Sequence, residues 1–173
     1  VKARSLSHVG VTVTDFENAV RWYHDTFGCY LISELHLDKE QVEGLYELYG
    51  LKDTSIRIGF LRFPKGGVIE IFEFSPTLEK SKVKWNQPGY THVALDVKNV
   101  NKVYQCLKAK GVQFYSEPQK NNGSDWVFLK DPDGNLIEIM DLKFNYHAIR
   151  LLGGIVGRVM KHGSFKKYYR LKE

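Results

Sequence analysis

The chain states one pattern twice, and that duplication restricts its fold more than any other feature. Ser7-His8-Val9-Gly10-Val11-Thr12-Val13 recurs as Thr91-His92-Val93-Ala94-Leu95-Asp96-Val97, and Gly67-Val68-Ile69-Glu70-Ile71 recurs as Asn135-Leu136-Ile137-Glu138-Ile139. Two histidines and two glutamates thus hold corresponding places in two halves. Halves that pair about a pseudo-twofold axis would bring the four together, and two imidazoles with two carboxylates suit a divalent transition metal.

Both halves open alike. Val9, Val11 and Val13 alternate with His8, Gly10 and Thr12, the period of a half-buried strand whose histidine lies on the face away from the valines. Thr14 with Glu17 reads as a capping box, and Phe16, Ala19, Val20, Tyr23 and Phe27 then recur at helical spacing until Gly28 stops the run. In the second half Asn99 is the cap, Val100, Val103, Tyr104 and Leu107 form the stripe, and Gly111 is the stop. Strands are expected near Cys29–Leu35, Ser55–Phe63 and Val68–Phe74 in the first half. Their counterparts are expected near Gln113–Glu117, Trp126–Lys130 and Leu136–Leu142. The two histidines are 84 residues apart and the two glutamates 68, so the first half is longer by 16. Most of the excess is Glu40–Tyr49, a helical segment closed by Gly50 and expected to shape a lid or pocket wall.

At 173 residues the chain is long enough for one good core and too short for two large domains. The expected organisation is one domain over residues 1–144, with module one at about 5–75 and module two at about 88–144, then a basic helical extension over 145–173. Charge divides along the same line. Residues 145–173 hold seven Lys and Arg against Glu173, so they carry +6 and leave −1 on the body, which argues against a nucleic-acid partner. No apolar run approaches the roughly 20 residues of a membrane span, and Val1–Ser5 has no leader-like apolar stretch, so a cytoplasmic location is expected. Cys29 and Cys106 have no metal or redox spacing and are expected to be reduced, partly buried thiols.

On the strand reading Glu70 shares a face with Val68, Phe72 and Phe74, and Glu138 shares one with Leu136 and Met140. A charge on an apolar strand face is costly to bury unless it is paired or coordinated, which gives a physical reason to expect a cation. Glu73 points the other way. His8, Glu70, His92 and Glu138 are the expected metal ligands.

Ser7-His8-Val9-Gly10-Val11 with Thr14-Asp15, Gly89-Tyr90-Thr91-His92-Val93-Ala94, and Asp131-Pro132-Asp133-Gly134-Asn135-Leu136-Ile137-Glu138 resemble the motifs of the vicinal oxygen chelate superfamily, the glyoxalase, bleomycin-resistance and dioxygenase group. The likeness runs from about Ser5 to Leu142 and leaves the tail uncovered. It implies an α+β fold: two tandem βαβββ modules forming a curved mixed sheet around a metal-containing cavity, with the helices outside. It also implies a metal-dependent lyase or isomerase of glyoxalase type, acting on a small carbonyl compound through a metal-stabilised enediolate or enolate. A metal-bound carboxylate would then move the proton, Glu138 before Glu70. Nickel, zinc, cobalt or manganese would suit this donor set, and iron would suit a dioxygenase.

Bacterial glyoxalase I members carry arginine and asparagine where this chain has Thr12 and Phe74, so the glutathione anchors are missing from the pattern. Methylmalonyl-CoA epimerase members carry glutamine at the position of Glu70. An extradiol-type dioxygenase, with two histidines and one glutamate, ranks lower. A reading from another class is a non-catalytic antibiotic-binding protein, in which Trp126, Phe72 and Tyr46 would line the groove. Such a protein would purify without stoichiometric metal. Arg57 and Arg62 fall on opposite faces of one strand, so at most one could look into a cavity.

In the tail, Ile149, Leu152, Ile155, Val156 and Val159 recur at helical spacing, and Gly153, Gly154 and Gly157 weaken the helix by about 1 kcal/mol each. Four destinations compete: the chain's own sheet, a dimer partner, a membrane surface and an anionic partner. Docking or dimer contact is favoured over the membrane because the stripe is short and lacks tryptophan. A homodimer acting on a small molecule is the expected assembly.

Overall fold

The computed structural model describes residues 3–80 and 84–169. Module one runs β1 (Val9–Val13), α1 (Phe16–Phe27), β2 (Tyr30–Leu37), α2 (Lys39–Gly44), α3 (Tyr46–Tyr49), β3 (Ser55–Arg62) and β4 (Val68–Ser75). Module two runs β5 (Val93–Asp96), α4 (Val100–Ala109), β6 (Gln119–Lys120), β7 (Asp125–Lys130) and β8 (Leu136–Asp141). The sheets have the equivalent orders β1-β4-β3-β2 and β5-β8-β7-β6. In each, the first strand lies parallel to the last, which in turn runs antiparallel to its hairpin partner. The tandem βαβββ architecture is therefore present. Its two sheets are separate and open, not joined into one closed surface around a cavity.

The helix faces of both sheets share a core. Val13, Ile69, Ile71, Leu61, Phe16, Ala19 and Tyr23 from module one cluster with Val100, Tyr104, Val127, Leu129, Ile137 and Ile139 from module two. Helix α1 sits close to its sheet because β3 offers Gly59 beneath it: a Cβ there would lie 2.6 Å from Cζ of Phe16. Gly59→Ala forces the Phe16 ring or the helix to move, and should lower stability by about 1–3 kcal/mol in denaturant unfolding. An unchanged midpoint would show that the ring can turn away freely.

The start of α1 differs from the capping box expected at Thr14 and Glu17. Asp15 is the cap, accepting from the Asn18 amide at 2.8 Å, and Glu73 of β4 accepts the Phe16 amide at 3.0 Å. Glu73, on the helix side of its sheet, thus satisfies one of the amides a helix start leaves without a partner. Glu17 pairs with Arg57 at 2.7 Å, and Thr14 gives its amide and hydroxyl to Asp133 of module two. Arg57 also binds Glu34 at 2.7 Å and stacks over Phe16, so it faces the helix side. The Arg62 guanidinium is turned back onto the Phe63 carbonyl.

Asp133 belongs to the Asp131–Asn135 turn, which joins the modules. Asn135 donates to the Thr12 carbonyl at 3.1 Å, Lys80 donates to Asn135 Oδ1 at 2.8 Å, and the Tyr23 hydroxyl donates to buried Asp131 at 3.2 Å. Burial raises the Asp131 pKa above the usual carboxylate value, opposed by its bonds from Asn135. It also raises that of Tyr23.

The segment expected as one helix over Glu40–Tyr49 is two short ones. Asp38 and Gln41 form a reciprocal cap at the start of α2, and Gly50, with φ of 65°, closes α3. A second expectation is corrected in module two. The stretch Gln113–Glu117 pairs only through a bridge from Phe114 to Leu129, and the strand β6 is Gln119–Lys120. The chain bends at Tyr115 and Ser116, which interrupts the ladder, and Pro118 has no amide with which to restore it before Gln119. Both cysteines are free: Cys29 is buried, with its thiol pushed up to about 12 by desolvation, whereas Cys106 is exposed, not partly buried.

After a tie from Asn145 to the Gly123 carbonyl, the tail runs through a π-helical turn, Ala148–Leu152, into a helix over Gly153–His162. Docking of this helix on its own sheet is not seen: none of its residues is buried. Among the described residues no helix is long and apolar enough to cross a membrane.

Candidate metal centre

Strand register gives the two modules the same half-site. Gly10 lies beside Glu70, which lies beside Phe60; Ala94 lies beside Glu138, which lies beside Phe128. Each histidine precedes its strand by one residue and falls on the glutamate face. His8 Nε2 is 3.1 Å from Glu70 Oε2, and His92 Nε2 is 3.2 Å from Glu138 Oε2. Both glutamate side chains are only 15% exposed, but His8 is 40% exposed and His92 27%, so the second half-site is the more sheltered.

The rest of each imidazole is held alike. Ser7 Oγ lies 3.2 Å from His8 Nδ1, and Thr91 Oγ1 lies 2.9 Å from His92 Nδ1. With the proton on Nε2, facing the carboxylate, the hydroxyl donates to Nδ1. With the proton on Nδ1, the hydroxyl accepts and the Nε2 lone pair is free. Each imidazole stands perpendicular to a phenylalanine ring, Phe60 at 5.9 Å and 88°, Phe128 at 5.1 Å and 89°. Trp85 closes the second half-site further, at 5.8 Å from His92 and 5.3 Å from Phe128.

The donor set fits a metal ion. Cis ligands on an ion with bonds of about 2.1 Å stand about 3.0 Å apart, near the separation within each His–Glu pair. The pairs do not meet, however: among the described residues no three His, Cys, Asp or Glu side chains gather where a metal could sit. Within one chain the four expected ligands thus form two separate His–Glu pairs and are not gathered into one cluster.

Around Glu70 the insertion builds a wall. Val42 of α2 packs with Ile56, Ile58, Phe60, Phe72 and Phe74 in a small second core on the glutamate face of sheet one. Phe72 is therefore where the sequence placed it, and Trp126 opposes Met140 on the Glu138 face. Tyr46 instead stands half exposed under Lys52. Clefts of about 210 and 370 Å3 open beside Trp22 and Asp131, and beside Tyr104 and Phe114; neither is lined by any of the four expected ligands.

Sequence reasoning did not single out Phe60, Phe128 or Trp85, nor assign Ser7 and Thr91 a role. A signal for the phenylalanines was present: each stands 10 residues before its glutamate, a spacing that the equal hairpins of the two modules preserve.

A family model described as "Glyoxalase/Bleomycin resistance protein/Dioxygenase superfamily" matches residues 5–139. Lactoylglutathione lyase GLX1 of Arabidopsis thaliana is 25% identical over 79% of this chain and 44% of its own length, so the chain spans under half of that relative. Mitochondrial methylmalonyl-CoA epimerase of Mus musculus is 30% identical over 80% of this chain and 73% of its own. In the fold, the crystal structure of a glyoxalase family protein from Bacillus cereus superposes with a TM-score of 0.67 at 20% identity, covering 82% of this chain and 95% of that one. The chain belongs to the glyoxalase, bleomycin resistance protein and dioxygenase superfamily.

Proposed function

We propose that the protein is a divalent-metal-dependent lyase or isomerase acting on a small carbonyl compound. In this reading its site is completed when the His8–Glu70 half of one protomer faces the His92–Glu138 half of a second. The observation that carries this reading is the pair of matched half-sites, each preset at cis-ligand spacing and each left open in the single chain. A metal ion held by the four residues would supply Lewis acidity, favouring an enediolate or enolate form of the substrate. The chain's own groups do the rest. His8 and His92 stay in place, fixed by Ser7 and Thr91, while a glutamate carboxylate takes a proton from one substrate carbon and returns it to the next. Phe60, Phe128 and Trp85 keep water from that carboxylate.

The named activities of the two relatives bracket the substrate without choosing it. Phe74 occupies the position of one expected glutathione anchor and is packed between Phe72, at 6.0 Å, and Tyr49, at 6.4 Å. Thr12, at the other position, has a short neutral side chain and no guanidinium to offer a carboxylate. Both facts support a substrate other than a glutathione adduct.

Metal analysis of the purified protein should find about one ion per His8/Glu70/His92/Glu138 set, and His8→Ala should lose it. The metal form should then turn over either methylglyoxal hemithioacetals or 2-substituted acyl-CoA esters, and the second is favoured by the packing of Phe74. Protein that purifies without metal, and binds a ligand equally well after His8→Ala, would instead be an antibiotic-binding module.

A further inference from the structure

The C-terminal segment is apolar and cationic at once. Ile149, Leu152, Ile155, Val156 and Val159 are between 48% and 65% exposed, although their spacing places them along one side of the tail. Arg150, Arg158 and Lys161 fall on the other side. From Leu142 to Tyr169 there are six Lys and Arg and no Asp or Glu. Phe144 and Tyr168, at the two ends, are 75% and 70% exposed. The charge pattern decides what can cover this segment. A second copy offers a body of net charge −1, too little to complement such a run of cations. A lipid surface with acidic headgroups offers an apolar interior and a negative rim together.

We propose that residues 144–169 are a peripheral membrane anchor. The segment lies along an anionic phospholipid surface with Ile149, Leu152, Ile155, Val156 and Val159 among the acyl chains. Arg158 and Lys161 reach the phosphates, with their stems along the apolar boundary, while Arg150 stays stacked on Tyr146. Gly153, Gly154 and Gly157 keep the free helix weak, so contact with lipid is also what orders it. The proposal stands independently of the metal reading.

The test is sedimentation of the full chain with vesicles of phosphatidylcholine alone or of phosphatidylcholine with phosphatidylserine. Binding should be at least about tenfold stronger to the anionic vesicles and should weaken with salt. Arg158→Glu and Lys161→Glu should each reduce it about fivefold or more, and Ile155→Asp with Val159→Asp should abolish it. All these side chains are exposed, so thermal unfolding of the body should not move, which separates lost binding from lost folding. Equal binding to both vesicles, or to neither, overturns the proposal. So does a dimer in sedimentation velocity that the Ile155→Asp, Val159→Asp variant converts to monomer, since the apolar side would then belong to a second copy.

Discussion

Mixing His8→Ala chains with His92→Ala chains, each inactive alone, should restore about a quarter of the wild-type activity and metal content. In a dimer whose sites each combine the first half of one protomer with the second half of the other, one hybrid site collects both substitutions and its twin collects neither. Random reassortment makes about half of the dimers hybrid, and half of the sites in those are intact, which gives the quarter. Sites closed within one chain would leave every site in the mixture damaged. Continued inactivity after hybrid formation, verified with two affinity tags, would therefore reject the shared site. Metal content gives the same answer whichever substrate proves right. The geometry behind the expectation is that His8 and His92 each hold their own glutamate at hydrogen-bond distance while the two pairs stay apart.

The second large effect separates the glutamates. Glu138→Gln keeps an oxygen donor of the same length but removes a group that can accept a proton. Turnover should fall by about 10²–10⁴ while bound metal stays near the wild-type amount. Glu70→Gln should cost much less. The two carboxylates are equally sheltered, so the difference rests on the neighbouring rings: His92 is less exposed than His8, and Trp85 flanks only the Glu138 side. Equal losses for the two substitutions would remove the distinction. Loss of metal from Glu138→Gln would reduce that residue to a ligand.

The elements of this fold were legible wherever local chemistry alone decides them. The repeat of His8 and Glu70 as His92 and Glu138 set the strand faces, and Asn99 accepts the Lys102 amide at 3.0 Å at the start of α4 as its position suggests. What the pattern could not reveal depended on long-range partners. Thr14 and Glu17 have the composition of a cap, yet Asp133 and Arg57 claim them across 119 and 40 residues of sequence. A bend at Tyr115 and Ser116 interrupts the strand expected over Gln113–Glu117. The four expected ligands were legible as residue types, but whether they converge depends on how open sheets associate, which no spacing along one chain records. The tail shows the same limit: its periodicity was visible, and that its helix buries none of its residues was not.

The wall on the Glu70 side has a consequence for how such a protein diversifies. Val42, Ile56 and Ile58 form a cluster separate from the one that ties the modules together. Residues 38–51 can therefore be exchanged or lengthened without loosening the main scaffold. Because module two has no matching insertion, each proposed pocket is lopsided. Selectivity can be retuned on one flank while the chemistry on the opposite flank is inherited unchanged.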